Sequence, residues 1–143
     1  MAAKLAGALR PGDVVALAGE LGAGKTTFAR GIIAACAAEA GQVPPEVPSP
    51  TFTLVQTYEF PRAVIWHFDL YRIERPLDAI ELGLEEALAE GVALIEWPER
   101  LGALLPARRI EVTLAFAGTE DARRIAIAAP PALAARVARS LRA

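Results

Sequence analysis

Asparagine is absent from these 143 residues, lysine occurs only as Lys4 and Lys25, and cysteine and histidine occur once each, as Cys36 and His67. A single cysteine permits no disulfide within the chain, so the fold does not depend on an oxidising compartment. The alanine-rich helical setting of Cys36 reads as that of a small packing residue. One histidine without a companion gives no metal site of useful spacing, and a supporting role is the better reading of His67. No apolar run approaches the roughly 20 residues a membrane helix needs, and Met1 to Arg10 lacks the long apolar stretch of a secretory signal. The expectation is a soluble, cytoplasmic protein with no membrane partner. Neither sign of charge dominates: 15 basic against 17 acidic side chains leave a net −2. That provides no general field for a polyanion, so no DNA is expected and any RNA contact is local or borrowed.

What is present is apolar bulk. With 54% hydrophobic residues and 22% charged, the chain can offset its conformational entropy by burial, which excludes intrinsic disorder. Its length fits a single domain over residues 1–143. Val14 to Ala18 reads as a buried strand, Lys25 to Glu39 as the helix that follows it, and the proline-bearing stretch Gln42 to Pro50 as a restricted loop. Thr51 to Phe60, Ala63 to Tyr71, Val92 to Trp97, Arg109 to Phe116 and Arg124 to Ala128 read as strands. Pro76 to Glu90 and Pro131 to Leu141 read as helices. The alternation predicts an α/β fold, a mixed but mostly parallel β-sheet flanked by helices. Glu81, Glu85, Glu86 and Glu90 would share one face of the helix over 76–90, a solvated stripe or a seat for a basic surface.

Between the first strand and its helix stands Gly19-Glu20-Leu21-Gly22-Ala23-Gly24-Lys25-Thr26, which fits G-x-x-x-x-G-K-[ST] in the strand-to-helix context that this phosphate-binding loop requires. Successive backbone N–H groups and the helix N-terminus would cradle phosphate oxygens. Lys25 would reach the β- and γ-phosphates, and the Thr26 hydroxyl would meet Mg²⁺, with Thr27 following on the first helical turn. The element predicts a P-loop NTPase fold. Guanine-specific enzymes read their base through N-K-x-D, which a chain without asparagine cannot carry, so ATP is the expected nucleotide.

A P-loop also needs a carboxylate at a neighbouring strand end. Asp69 ends the run Val64 to Phe68 and Glu96 ends the run Val92 to Ile95; spacing alone does not divide metal ligand from base between them. Thr51, in Ser49-Pro50-Thr51-Phe52-Thr53, lies where switch loops reach the γ-phosphate with a hydroxyl. Trp66 and Trp97 read as packing residues, Trp97 beside the catalytic edge, and Tyr71 and Arg72 belong to the site or to the sheet rim.

Taken together, GELGAGKTT at 19–27, SPTFTLV at 49–55, HFDLYR at 67–72, ELGLEE at 81–86 and IEWPE at 95–99 resemble the TsaE (YjeE) family. The resemblance implies a bacterial ATPase required for threonylcarbamoyladenosine in tRNAs that read codons beginning with A. It would act with the TsaD and TsaB proteins, hydrolysing ATP to support repeated rounds of transfer, and would meet tRNA indirectly through that complex. Carried over, Lys25 binds phosphate, Thr26 and Glu96 hold Mg²⁺, and Asp69 is essential for hydrolysis. Glu20, Leu21, Gly22, Ala23, Gly24, Thr27, Thr51 and Trp97 belong to the nucleotide site. Glu20 stands where the family commonly has aspartate. The alternatives are a small P-loop kinase acting on a metabolite and a nucleotide-gated binding module.

Overall fold

A computed structural model describes residues 1–143, with every side chain except that of Glu120. Six strands, β1 (Val14–Gly19), β2 (Val55–Glu59), β3 (Val64–Asp69), β4 (Val92–Glu96), β5 (Ile110–Ala117) and β6 (Thr119–Ala128), form one sheet in the order β2-β3-β4-β1-β5-β6. Strands β3, β4, β1 and β5 run parallel, while β2 and β6 pair antiparallel at the two edges. The fold is therefore the mixed, mostly parallel α/β arrangement read from the sequence. Burial explains the strand sequences. Central β4 is apolar up to Glu96 and buried throughout, as a strand covered on both faces must be, whereas β5 alternates buried with exposed.

On one face, Val15, Leu17, Ile65, Leu94 and Val112 pack with residues of α1 (Ala2–Ala6), α2 (Lys25–Glu39) and α4 (Pro131–Arg142). On the other, Val14, Phe68, Ala93 and Ile95 meet α3 (Leu84–Glu90) and the 3₁₀ segments Pro76–Leu82 and Pro98–Leu104. Cys36 lies in the α2 core at 7% exposure.

Several segments differ from the sequence reading. The strand expected from Thr51 begins only at Val55. Residues 51–54 form a turn closed by the Leu54 N–H donating to the Pro50 carbonyl at 2.7 Å, with Leu54 at φ 70°. The single helix expected over 76–90 is broken at Gly83, whose φ is 93° and where a Cβ would stand 2.7 Å from the Trp66 ring. The acidic stripe is divided with it: Glu81 lies on the 3₁₀ segment, and Glu85, Glu86 and Glu90 lie on α3. Finally, α1 and the 3₁₀ segment after Trp97 were not anticipated, although Leu5 and Leu101 are fully buried anchors within them.

Helix α4 is tied to the start of β1 by charge. Asp13, 2% exposed, accepts from Arg136 Nη1 at 2.6 Å and Nη2 at 3.2 Å, and from the Arg10 N–H at 2.8 Å. Arg136 also donates to the Ala8 carbonyl. Removing one partner of a buried ion pair strands the other. Arg136→Ala is therefore expected to lower the free energy of unfolding by about 3 kcal/mol, read as a drop in the urea midpoint; an unchanged midpoint would show that the more exposed Arg108, 3.6 Å from Asp13, suffices.

Candidate active site

The P-loop leaves β1 at Gly19, whose φ is 152° and where any Cβ would fall 2.4 Å from the Leu114 carbonyl oxygen. Only glycine lets the chain turn there against β5. The Ala23 N–H donates to the Glu20 carbonyl at 3.0 Å, and α2 begins at Lys25. Lys25 Nζ donates to the carbonyls of Gly19 and Glu20 at 2.7 and 2.9 Å and lies 4.1 Å from the centre of the Trp97 ring.

Strand alternation decides what faces this loop. Ile65 and Leu94 point toward α2, so His67 and Asp69, two and four residues beyond Ile65, and Glu96, two beyond Leu94, share that face. Parallel pairing sets Asp69 opposite Glu96. The Thr26 hydroxyl lies 2.9 Å from each Glu96 carboxylate oxygen and donates to that group. His67 Nε2 lies 2.6 Å from Glu96 Oε2. Asp69 accepts from the Thr51 hydroxyl at 3.2 Å and from the Tyr71 N–H at 3.0 Å, and Ser49 and Thr51 hydroxyls stand 2.7 Å apart. Both carboxylates are almost fully buried.

Trp97 takes the left-handed conformation at φ 59°, which costs a non-glycine residue about 1–3 kcal/mol. The turn brings its ring back over Lys25 and against Tyr71, 4.8 Å between centroids. Burial lowers the Lys25 pKa from its ordinary 10.5, opposed by the negative charges of Glu96, Asp69 and Glu99. The sign follows from linkage: between the lowered value and 10.5 the unfolded chain binds more protons, so this group favours folding increasingly as pH rises. An anion needs the ammonium, so its binding changes the other way. Affinity for ADP is expected to fall as pH rises, beginning below 10.5; calorimetric titration from neutral pH upward reads it, and an alkaline limb no lower than that of free lysine would contradict it.

A cleft of about 240 Å³ is lined by Leu21, Gly22, Gly24, Lys25, Thr26, Thr27, Ser49, Thr51, Asp69, Glu96 and Trp97. Nearly all the residues read from the sequence thus converge. Glu20 takes part through its carbonyl, and Ala23 is buried beneath the loop. Gly22, Gly24 and Thr27 also line an adjoining cleft of about 440 Å³ with Met1, Ala2, Phe28, Leu114, Asp121, Arg123 and Ile125. No motif marks the residues that β5 and β6 contribute there. Tyr71 and Arg72 resolve as a rim: Tyr71 packs on Trp97, and the Arg72 guanidinium lies 4.7 Å from the Phe52 ring.

Comparison with known proteins shows the family. The family model described as "Threonylcarbamoyl adenosine biosynthesis protein TsaE" matches residues 1–125. The chain belongs to the TsaE family. The tRNA threonylcarbamoyladenosine biosynthesis protein TsaE of Rickettsia bellii is 48% identical over 109 residues, 76% of this chain and 73% of that one. The protein of that name from Bacillus subtilis is 40% identical over 129 residues, 89% and 77% of the two chains. The chain thus spans about three quarters of these relatives' length. The crystal structure of Bacillus subtilis YdiB superposes with a TM-score of 0.75 at 33% identity, covering 99% of this chain and 85% of that one. The fold is that of a P-loop NTPase, and no helix among the described residues is long and apolar enough to cross a membrane.

The donor set at this TsaE cleft suits a hard divalent cation. Thr26 offers a hydroxyl and Glu96 a carboxylate, both oxygen ligands, and the Lys25 ammonium beside them suits phosphate. Among the described residues no group of three His, Cys, Asp or Glu side chains could hold a metal. Mg²⁺ takes one or two protein oxygens and completes its shell with phosphates and water.

Proposed function

We propose that this TsaE-family chain is a Mg²⁺-dependent ATPase that serves tRNA threonylcarbamoyladenosine biosynthesis with the TsaD–TsaB pair. The observation that carries this reading is the convergence of Lys25, Thr26, Asp69 and Glu96 on one cleft at the mouth of a P-loop. Backbone N–H groups of residues 22–26 and the Lys25 ammonium bind the phosphates, and the adjoining cleft against β5 and β6 receives the base. Thr26 and Glu96 hold Mg²⁺, which, when bound, neutralises charge developing on the phosphate oxygens. Asp69, aimed by the Tyr71 N–H and the Thr51 hydroxyl, orients the attacking water and accepts its proton. Trp97 keeps the Lys25 stem over the loop.

Leu21 and Phe52 are exposed at 72% and 82%, one lining the cleft and the other on the loop that carries Thr51. Such apolar groups at the mouth of a site suit cover by a protein partner, and hydrolysis that is weak alone and stimulated by the pair accords with them. Expression of this chain in bacteria depleted of their own TsaE is expected to restore threonylcarbamoyladenosine, measured by mass spectrometry of digested tRNA, and Lys25→Ala is expected not to. Equal rescue by that variant would remove nucleotide use from the function.

A further inference from the structure

Glu96 is the residue on which the metal site turns, and its carboxylate meets two groups, the Thr26 hydroxyl and the His67 ring. The imidazole of His67 is wholly buried, with Nε2 at 2.6 Å from Glu96 Oε2. Its other nitrogen, Nδ1, is enclosed and meets no hydrogen-bonding group among the described residues. Buried polar atoms are ordinarily paired, and here only one of the two ring nitrogens is. Of the two ring nitrogens only Nε2 faces an acceptor among the described residues. The Nε2–H is therefore the one that donates to Glu96.

We infer that His67 is a positioning residue for Mg²⁺ binding: its Nε2–H pins Glu96 Oε2 and so fixes the plane of the carboxylate. Oε1, whose only hydrogen-bond partner among the described residues is Thr26, is left toward the cation. This rests on the reading that Thr26 and Glu96 hold the metal. A glutamate has several torsions to rotate through, and with just two protein oxygens on the metal, loss of orientation falls directly on affinity. Partners that orient a metal ligand are typically worth 10- to 100-fold in metal affinity. Register makes the contact possible, since β3 and β4 run parallel with His67 beside Leu94, two residues before Glu96.

Calorimetry of ADP binding, in excess chelator and over a series of Mg²⁺ concentrations, tests the inference on the whole chain. His67→Leu is expected to raise the Mg²⁺ concentration that half-saturates the effect on ADP binding by about 10- to 100-fold. Metal-free ADP binding, made by the P-loop, should stay at the wild-type value. His67→Gln, whose amide N–H can reach Oε2, should recover most of the Mg²⁺ response, and His67→Asn, one methylene shorter, should not. The Asn and Gln pair keeps a polar group in the same buried place, so their difference reads reach rather than folding. A wild-type Mg²⁺ dependence in both His67→Leu and His67→Asn would overturn the inference, as would a parallel loss of metal-free ADP binding. A wild-type protein whose ADP binding ignores Mg²⁺ would instead remove the metal reading of Thr26 and Glu96, and the role of His67 with it.

Discussion

Asp69→Asn is expected to bind Mg·ATP like the wild type and to hydrolyse it about 10²- to 10⁴-fold more slowly, the usual contribution of a positioned general base. The substitution keeps the shape of the site. An amide oxygen at the Oδ1 position still accepts from the Tyr71 N–H, and the amide nitrogen at the Oδ2 position can donate to the Thr51 hydroxyl in place of accepting from it. What disappears is the charge and the basicity. Stopped-flow nucleotide binding beside single-turnover phosphate release separates the two effects. Equal losses in binding and turnover would mean that Asp69 only supports the loop over 49–54, and wild-type turnover would move the base to Glu96.

Lys25→Ala has the other large expected effect, and of a different kind. Removing an ammonium from a phosphate clamp costs about 10²- to 10³-fold in turnover, and here nucleotide affinity falls as well because the charge acts on the ground state too. The free protein should not suffer in proportion. Burial already disfavours the charged side chain, as the lowered Lys25 pKa records, and the groups it contacts are two carbonyls and the Trp97 face. Thermal unfolding without nucleotide is expected near the wild-type midpoint, while the midpoint gain on adding ADP vanishes. A variant that retains that gain would place the anion elsewhere.

The contrast between these two substitutions follows how far the site was legible in the sequence. The P-loop is local: eight consecutive residues between an apolar strand and a helix carry their own geometry, and the cleft forms where they predict. Asp69 and Glu96 were legible as carboxylates closing apolar strand runs. What joins them was not. The bond from His67 to Glu96 depends on the register of β3 against β4, which no local pattern encodes. The left-handed turn that folds Trp97 over Lys25 contradicts the preference of any aromatic residue and exists only because the surroundings impose it. The adjoining cleft draws Leu114, Arg123 and Ile125 from an edge hairpin whose sequence reads like any exposed ribbon.

The fold shows the same division. Alternation and apolar runs located the strands, but helical spacing over 76–90 did not disclose the break at Gly83, which answers to the Trp66 ring packed against it from β3. Likewise the strand after Pro50 starts four residues late, since the tight turn closed by Leu54 and Pro50 sets Thr51 against Asp69. In the first of these places a tertiary contact overrides a local preference; in the second a local turn does, and it builds the site.

On the proposed function, the cleft hydrolyses ATP in the service of a partner complex. Phosphate release from Mg·ATP, measured for this chain alone and again with the TsaD–TsaB pair, tests it most directly. A slow rate alone, a marked rise with the pair, and loss of that rise in Asp69→Asn are expected. A rate that the pair leaves unchanged would contradict it.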